Sequence, residues 1–299
     1  MSGMEFADRL IEAQRRKASI AVLGVDPHLD TRQAPGIPSG YSLARFCCEV
    51  IEAAADFIVA VKPQLAFFEA RGIDGMRALV EVLALARKLE LLTIADAKRG
   101  DIGSTSAAYA EAFLGAGDFA CDAVTVNPYL GSDAIAPFVA HVRKGRGLFV
   151  LDKTSNPSSG EFQDLVTFPE RPLWEMVAER VRGWGGDFIG KSGLSSVGAV
   201  IGATYPKQAR RARTLMPNAI ILVPGFGAQG ASASDAVAAA RADGLGVIVN
   251  ASRSLMYAYR SRPGGSAWAA ACVASATRAA AQAMRDDLNL AWARRSAAP

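Results

Sequence analysis

Histidine, cysteine and lysine are all scarce in this chain of 299 residues, and each scarcity narrows the possible chemistry. The two histidines, His28 and His141, are too few for a histidine-based metal cluster. The four cysteines show no C-x-x-C spacing and two are adjacent, which argues against a disulfide framework and against a zinc site. Lysines make up eight of the 33 basic residues, so a lysine at the end of a buried strand stands out as a catalytic candidate.

Long apolar runs and basic clusters are absent as well. No stretch approaches 18 uninterrupted apolar residues, and the N-terminus has no apolar signal core, so we expect a cytoplasmic protein without a membrane segment. The net charge is only +4, and no basic run with interleaved aromatic residues indicates nucleic-acid binding. Apolar residues make up 51% of the chain and charged residues 21%, which predicts an ordinary globular core.

Short apolar runs that end in polar residues recur along the chain, separated by helical patterns. Continuous apolar strands alternating with helices indicate a parallel sheet that is covered on its outer face. The eight predicted strands end near residues 26, 62, 96, 127, 152, 202, 224 and 250. Eight such units favour a single (β/α)8 TIM barrel of parallel strands, and no G-x-G-x-x-G follows the first strand to indicate a dinucleotide fold. We predict one barrel domain over 1–299, with a helical C-terminal extension over about 267–299.

Several connecting segments carry more local signals. An amphipathic pattern near the N-terminus predicts a short helix that covers one end of the fold. Ser104 or Thr105 is expected to cap the helix after the third strand, and Ser234 a later helix. The segment 154–172 is rich in Ser, Pro and Gly and is predicted to be irregular, which is typical of loops that are functional or mobile.

The motif DAKRGDIGST, which begins at Asp96, follows the third predicted strand and concentrates charge at its end. Side chains alternate along a strand, so Asp96 and Lys98 are expected on the same face. Asp101 follows three residues later, and burying such charges is costly unless they are paired. A purely structural cluster of ion pairs at a barrel end is the alternative interpretation.

Polar residues at the other strand ends are expected to share one mouth with this motif, because TIM barrels place their active sites at the carboxyl ends of the strands. Gly225, Gly227 and Gly230 let the backbone approach an anion closely. Arg253 follows the last strand, where a guanidinium can grip phosphate oxygens in two places. The polar residues predicted at this mouth are Asp26, Lys62, Asp96, Lys98, Asn127, Lys153, Ser155, Gln229 and Arg253.

Taken together, these motifs resemble the orotidine 5'-phosphate decarboxylase family, in its longer bacterial branch. The resemblance includes nearly every predicted strand end, but not the helix after about residue 267. It is carried by Asp96-x-Lys98-x-x-Asp101 with Thr105, by PGFGAQG and Arg253, and by the runs GVDP, KPQ, TSNPSSG and GATYP. The family implies decarboxylation of orotidine 5'-monophosphate (OMP) to uridine 5'-monophosphate (UMP) and CO2 in de novo pyrimidine biosynthesis, with no metal and no cofactor.

The resemblance also implies the catalytic roles. Lys98 would stabilise and then protonate the carbanion left at C6 of the pyrimidine. Asp96 would lie near the substrate carboxylate, either straining the substrate or positioning Lys98, and Lys62 would hold Asp96 and a ribose hydroxyl. Asp101 and Thr105 would reach the substrate of a neighbouring subunit, so a homodimer with shared active sites is expected.

The substrate-binding roles follow from the same resemblance. Asp26 would bind the ribose, Ser155 would contact the pyrimidine edge, and Gln229 and Arg253 would bind the phosphate. The phosphate is remote from the bond that breaks, so its binding energy can drive loop closure and be expressed in the rate.

Two other functions stay open from the sequence. One is a metal-dependent sugar-phosphate decarboxylase or aldolase on the same barrel; those relatives carry Glu where this chain has Asp96. The other is a non-catalytic barrel that binds a phosphoribosyl ligand. The complete charge cluster of Asp96, Lys98 and Asp101 argues against a binder that has lost its chemistry.

Overall fold

A closed barrel of eight parallel strands dominates the computed structural model, which describes residues 4–28, 36–168, 170–227, 230–261 and 266–296. The barrel closes because the last strand pairs with the first, with Ala21 opposite Val249. In chain order the strands are β1 (Ala21–Val25), β2 (Ala60–Pro63), β3 (Leu92–Arg99), β4 (Ala123–Val126), β5 (Gly147–Lys153), the short β6 (Val166–Thr167) and β7 (Arg171–Pro172), β8 (Ser195–Ile201), β9 (Ala219–Val223) and β10 (Val247–Ala251).

Around the barrel each strand lies beside its neighbours in the chain, in the order β1-β10-β9-β8-β5-β4-β3-β2. Only β6 and β7 lie outside it among the described strands, where they form an antiparallel hairpin. The barrel strands are apolar on both faces, because one face points into the barrel and the other is covered by helices. The predicted TIM barrel is therefore confirmed, and each predicted strand end falls within a few residues of an observed one.

Helices follow most of the strands and cover the outside of the barrel. The segment 154–172, predicted to be irregular, contains a 3-10 turn (Pro157–Ser159), a short helix and the β6–β7 hairpin. The helices are α1 (Phe6–Lys17), α2 (Leu43–Ala54), α3 (Leu65–Glu69), α4 (Gly72–Lys88), α5 (Gly103–Leu114), α6 (Ser132–Val142), α7 (Gly160–Gln163), α8 (Leu173–Gly185), α9 (Pro206–Leu215), α10 (Ala233–Ala236), α11 (Arg253–Met256) and α12 (Ser266–Ser296). No described helix is both long enough and apolar enough to cross a membrane.

Helix α1 closes the amino-terminal end of the barrel, as its amphipathic pattern predicted. Phe6 and Leu10 are fully buried, and the Phe6 ring meets the Phe149 ring edge-on with centroids 5.9 Å apart. Gly147 is required beneath this contact, since a Cβ atom there would lie 2.4 Å from the Phe6 ring. Aromatic burial of this kind stabilises the end of the barrel that lies away from the strand termini carrying the chemistry.

The long C-terminal helix α12 packs against α2 and completes the outer layer. Val273, Met284 and Leu288 are buried in the same core as the helices around the barrel. The hydroxyl of Thr277 donates a hydrogen bond of 3.2 Å to the carbonyl of Leu255, which joins α12 to α11. Helix α12 spans Ser266–Ser296 of the region predicted as a helical extension, and its apolar side chains are buried on the barrel's helical layer.

Two predicted helix caps were wrong. Helix α5 begins at Gly103, two residues earlier than a cap by Ser104 would require, and no side chain caps it. Gly103 has a positive φ of 53°, which glycine adopts freely. The chain can therefore turn into the helix at this residue, which explains the earlier start. Helix α10 is capped by Ser232 rather than Ser234: the Ser232 hydroxyl accepts from the Asp235 amide, and the Asp235 carboxylate accepts from the Ser232 amide.

Candidate active site

A cavity of about 600 Å³ opens at the carboxyl ends of the barrel strands. The residues that line it differ between three regions. Charged groups lie near β1–β3, apolar groups form the floor, and glycines with an arginine lie beside β9 and β10. The cavity brings together six of the predicted site residues: Asp26, Lys62, Asp96, Lys98, Ser155 and Arg253.

Asp96 is the centre of the charged side. Its Oδ1 atom accepts hydrogen bonds from Lys98 Nζ at 2.5 Å and from the Thr125 hydroxyl at 3.0 Å. Its Oδ2 atom accepts from Lys62 Nζ and from Gln64 Nε2, the latter at 3.0 Å. Both oxygens are thus satisfied by donors from three different strand ends. The arrangement explains how a carboxylate that is only 5% exposed stays ionised.

Electrostatic coupling sets the charge states in this cluster. Burial alone would raise the pKa of Asp96, but the attraction of Lys62 and Lys98 outweighs it and lowers that pKa to about 2. Burial opposes the charge of Lys62 too, yet Asp96 and Asp26 raise the pKa of its ammonium above the ordinary value. At neutral pH Asp96 is therefore a charged carboxylate, and Lys62 is its charged ammonium partner.

The backbone at Lys98 is unusual for a residue that is not glycine. Its φ is +48°, in the left-handed region, where a side chain with a Cβ costs conformational energy. The register between β3 and β4 shifts between Ala95 and Arg99, so the strand bulges there. The Lys98 amide donates 3.0 Å to the Thr125 hydroxyl, the same group that bonds Asp96. This bulge turns the Lys98 ammonium back over Asp96, at the edge of the cavity.

Asp26 follows β1 and has a free acceptor. Burial raises the pKa of its carboxyl group, against the attraction of Lys62. Its Oδ1 atom is buried and has no hydrogen-bond partner among the described residues. Tyr257 fixes the neighbouring backbone, since its hydroxyl donates to the Asp26 carbonyl at 3.2 Å and accepts from the His28 amide at 2.8 Å. The Oδ1 atom of Asp26 is free to accept a hydrogen bond from a donor in the cavity.

The side of the cavity beside β9 and β10 carries glycines and an arginine. Gly225, Gly227 and Gly230 all have positive φ, at 94°, 73° and 81°, so glycine is needed for the path of this loop. Arg253 is exposed at the start of α11 and lines the same cavity as Gly225. The predicted residue Gln229 lies outside the described residues. The exposed guanidinium and the glycine backbone together form one pole of the cavity, across from Asp96.

Between these poles the floor is apolar. Leu151, Val200 and Leu222 reach it from β5, β8 and β9. Ser155 stands above this floor on the segment after β5, and Asn250 lies at the end of β10. A flat, partly apolar ring fits such a floor, with polar groups at its rim for orientation.

Two residues expected at the mouth do not line the cavity. Asn127 is exposed, and its Oδ1 atom accepts from the Tyr129 amide at 3.0 Å within its own loop. Lys153 is fully buried away from the cavity and pairs with Asp164 at 2.8 Å. The prediction that they share the mouth was wrong, because a shift in the strand register at Lys153 redirects its side chain from the mouth.

Asp101 and Thr105 lie outside the cavity of their own chain as well. Asp101 is half-buried and accepts from the Ile102 amide at 2.8 Å, while Thr105 is exposed on the first turn of α5. Ile102 between them is 56% exposed, which is high for a large apolar side chain. These residues lie on the surface in the loop and first helical turn that follow β3.

Several cavity residues were missed by sequence reasoning. Gln64 and Thr125 bond Asp96 directly, and His28, Asn156 and Gln163 line the walls. Gln64 follows Lys62 within the run KPQ, so its position beside the charged strand end was a usable signal. Thr125 lies within an apolar strand, where nothing in the sequence distinguishes it from a residue of the barrel core.

All four cysteines are free, as predicted from their spacing. Within the described residues no group of three or more His, Cys, Asp or Glu side chains is arranged to hold a metal ion.

Comparison with known proteins identifies the family. Residues 25–264 match the model of the orotidine 5'-phosphate decarboxylase / HUMPS family. Among curated relatives, the orotidine 5'-phosphate decarboxylase of Rhodopirellula baltica is 43% identical, over 86% of this chain and 90% of that protein. The Deinococcus radiodurans enzyme of the same name is 41% identical, over 95% of this chain and 97% of that protein.

A solved structure agrees with these sequence relatives. The OMP decarboxylase of Leishmania donovani superposes with a TM-score of 0.76 at 34% identity, over 97% of this chain and 99% of that one. Fold, family model and curated relatives therefore support the same assignment. The chain belongs to the orotidine 5'-phosphate decarboxylase family and catalyses the decarboxylation of OMP to UMP.

Proposed function

We propose that Lys98 is the group that stabilises the carbanion at C6 and delivers its proton. In this step the bond between C6 and the carboxylate breaks, CO2 leaves, and the electron pair remains on C6. The Lys98 ammonium then transfers one proton from Nζ to that carbon. The observation that carries the proposal is the position of Nζ, 2.5 Å from a buried Asp96 and at the edge of the cavity. A fixed ammonium beside a developing negative charge lowers the barrier without reorganisation.

Asp96 and Lys62 are proposed to hold that ammonium in place. Asp96 bonds Lys98 through one oxygen and Lys62 through the other, so the three groups alternate in charge. The low pKa of Asp96, about 2, keeps its negative charge at every physiological pH. An ionised Asp96 supports the positioning of Lys98. It also repels the nearby carboxylate of the substrate, and this repulsion is expected to be relieved when CO2 leaves.

The remaining cavity residues are assigned to parts of OMP by their chemistry. The unpartnered Asp26 oxygen suits a ribose hydroxyl, which donates a hydrogen bond. The apolar floor suits the pyrimidine, with Ser155 at its edge. Arg253 and the glycine loop suit the phosphate, which Gln229 is proposed to contact as well. Phosphate and reacting carbon are thereby placed at opposite poles of the cavity.

A homodimer with shared sites is proposed from the surface that Asp101 and Thr105 form. Both residues follow the end of β3, which carries Lys98, but do not line the cavity of their own chain, and Ile102 between them is exposed. A second copy covering Ile102 would bring these polar groups to the ribose in the partner's cavity. We also propose a cytoplasmic location, where the free cysteines stay reduced.

The role of Lys98 is tested with the Lys98→Ala variant and an exposed control, Lys144→Ala. Loss of OMP absorbance and formation of UMP are followed in metal-stripped protein, and UMP binding is measured separately. We expect kcat to fall by at least about 10⁴-fold in Lys98→Ala, since general acid and electrostatic contributions are both removed. UMP binding stays measurable, and Lys144→Ala is unchanged. Turnover within tenfold of the wild type in Lys98→Ala would refute the assignment.

The shared site is tested by mixing two inactive proteins, Lys98→Ala and Asp101→Ala. Hybrid dimers then contain one site with both lesions and one site with neither, so part of the wild-type activity is expected to return. Subunit exchange is demonstrated in parallel with two differently tagged chains. No return of activity despite exchange contradicts the sharing of Asp101 across a dimer.

A further inference from the structure

The segment after β5 forms one wall of the cavity and is attached to the barrel in an unusual way. Thr154, Ser155, Asn156 and Gln163 line the cavity from this wall, which runs over residues 154–164. The Thr154 amide donates 3.0 Å to Gln163 Oε1, and Gln163 Nε2 donates 2.8 Å to the Thr154 hydroxyl. These two hydrogen bonds join the beginning of the wall to its end.

Lys153 lies directly behind this wall, with no exposure to solvent. Its ammonium donates to Ser159 Oγ at 3.1 Å and to Asp164 Oδ2 at 2.8 Å, and it lies 4.6 Å from the centre of the Tyr205 ring. The Ser159 and Tyr205 hydroxyls are themselves 3.1 Å apart. Burying an ammonium is costly unless it is paired, and these partners compensate the Lys153 charge.

The wall also contacts the next barrel strand, β8, through backbone atoms. The Gly202 amide, at the end of β8, donates 2.8 Å to the Lys153 carbonyl. A Cβ atom at Gly202 would lie 2.7 Å from Ser155 Cβ and 2.8 Å from Ser155 Cα. Ser155 is thus held in place from behind by Gly202, while Lys153 holds the far side of the same wall through Ser159 and Asp164.

We propose that Lys153 is a positioning residue that fixes the wall 154–164 against the barrel and thereby sets the affinity of the site for the pyrimidine. It contacts no part of the cavity itself and acts through Ser159 and Asp164. The inference rests on the proposed function in one respect, the assignment of Ser155 to the pyrimidine edge. It predicts that loss of Lys153 weakens the binding of the base, while the phosphate and ribose contacts on the other strands persist.

The experiment compares UMP with ribose 5-phosphate, which lacks the base, as competitive inhibitors of OMP decarboxylation. The variants are Lys153→Met, Asp164→Asn and, as an exposed control, Lys144→Met. We expect Lys153→Met and Asp164→Asn to weaken UMP about tenfold, a loss of about 1.4 kcal/mol. The affinity for ribose 5-phosphate stays within twofold, KM for OMP rises more than kcat falls, and Lys144→Met behaves as the wild type.

Two results overturn the proposal. If the affinities for UMP and ribose 5-phosphate fall equally, Lys153 supports the fold in general. If neither affinity changes, the wall keeps its position without Lys153. Asp164 is half-exposed, so the Asp164→Asn variant is expected to fold. It tests the role of the Lys153–Asp164 pair if Lys153→Met does not fold. Ser155→Ala separates this inference from the assignment beneath it: if that variant binds UMP normally, the assignment of the base fails. If Ser155→Ala binds UMP weakly but the two wall variants bind it normally, only the role of Lys153 fails.

Discussion

Asp152 offers a prediction about stability that is independent of the chemistry at the cavity. Its side chain is 3% exposed, and neither carboxyl oxygen has a hydrogen-bond partner among the described residues. Burial raises the pKa of this carboxyl group well above its ordinary value, and the attraction of Lys153 offsets only part of that effect. A buried polar group without partners costs about 1–3 kcal/mol even when it is neutral.

The sign of the pH dependence follows from the raised pKa. Below the pKa of an unfolded Asp, about 3.9, both states are protonated and ionisation costs nothing. As the pH rises through the interval up to the folded pKa, the unfolded state loses its proton first, so the free energy of unfolding falls. Each unit by which the folded pKa is raised contributes about 1.4 kcal/mol to this loss, which is complete above the folded pKa.

Urea unfolding of the wild type, Asp152→Val and Asp152→Asn between pH 4 and pH 8 tests this reasoning. Asp152→Val is expected to be more stable by about 1–3 kcal/mol at the lowest pH, with a larger gain at neutral pH. Asp152→Asn cannot ionise but keeps a polar group, so it removes the pH-dependent part alone. Because all other groups are shared, the difference between variant and wild type isolates Asp152. A valine variant no more stable than the wild type at pH 8 would show that Asp152 is satisfied in the folded protein.

Three further predictions concern the cavity. Thr125→Val removes the hydroxyl that bonds both Asp96 and the Lys98 amide, so kcat/KM should fall roughly 10- to 100-fold, whereas Thr125→Ser should stay close to the wild type in the same assay. Arg253→Ala should raise KM for OMP roughly 10- to 100-fold but leave kcat/KM for the bare nucleoside orotidine unchanged; equal losses would contradict a phosphate contact. Exhaustive chelation should leave the decarboxylation rate unaltered, and a loss restored by added metal would favour the metal-dependent alternative.

The barrel was predictable because its signal is repeated along the chain. Each strand is a continuous apolar run, and each ends in a polar residue or a proline, so an error at one strand does not change the architecture. Asp26, Lys62 and Asp96 follow directly from this repetition, since carboxyl ends of parallel strands meet at one mouth.

The details that depend on local backbone geometry were not predictable in the same way. Lys98 reaches Asp96 through a bulge with a left-handed φ, although simple alternation along the strand had already placed both residues on one face. At Lys153 the register shifts again, and there the position of the residue at a strand end gave the wrong prediction. Neither Asp152 nor Thr125 is marked by its sequence neighbours, because their roles depend on which atoms lie across the strand from them.

Helix α1 determines at which end of the barrel substrate can enter and products can leave. Phe6 and Leu10 pack without exposure beneath the strands, so among the described residues this helix covers that end of the barrel. Entry of OMP and release of CO2 and UMP are therefore expected at the opposite end, where the cavity opens at the carboxyl ends of the strands. An inhibitor lodged in that opening blocks arrival and release alike.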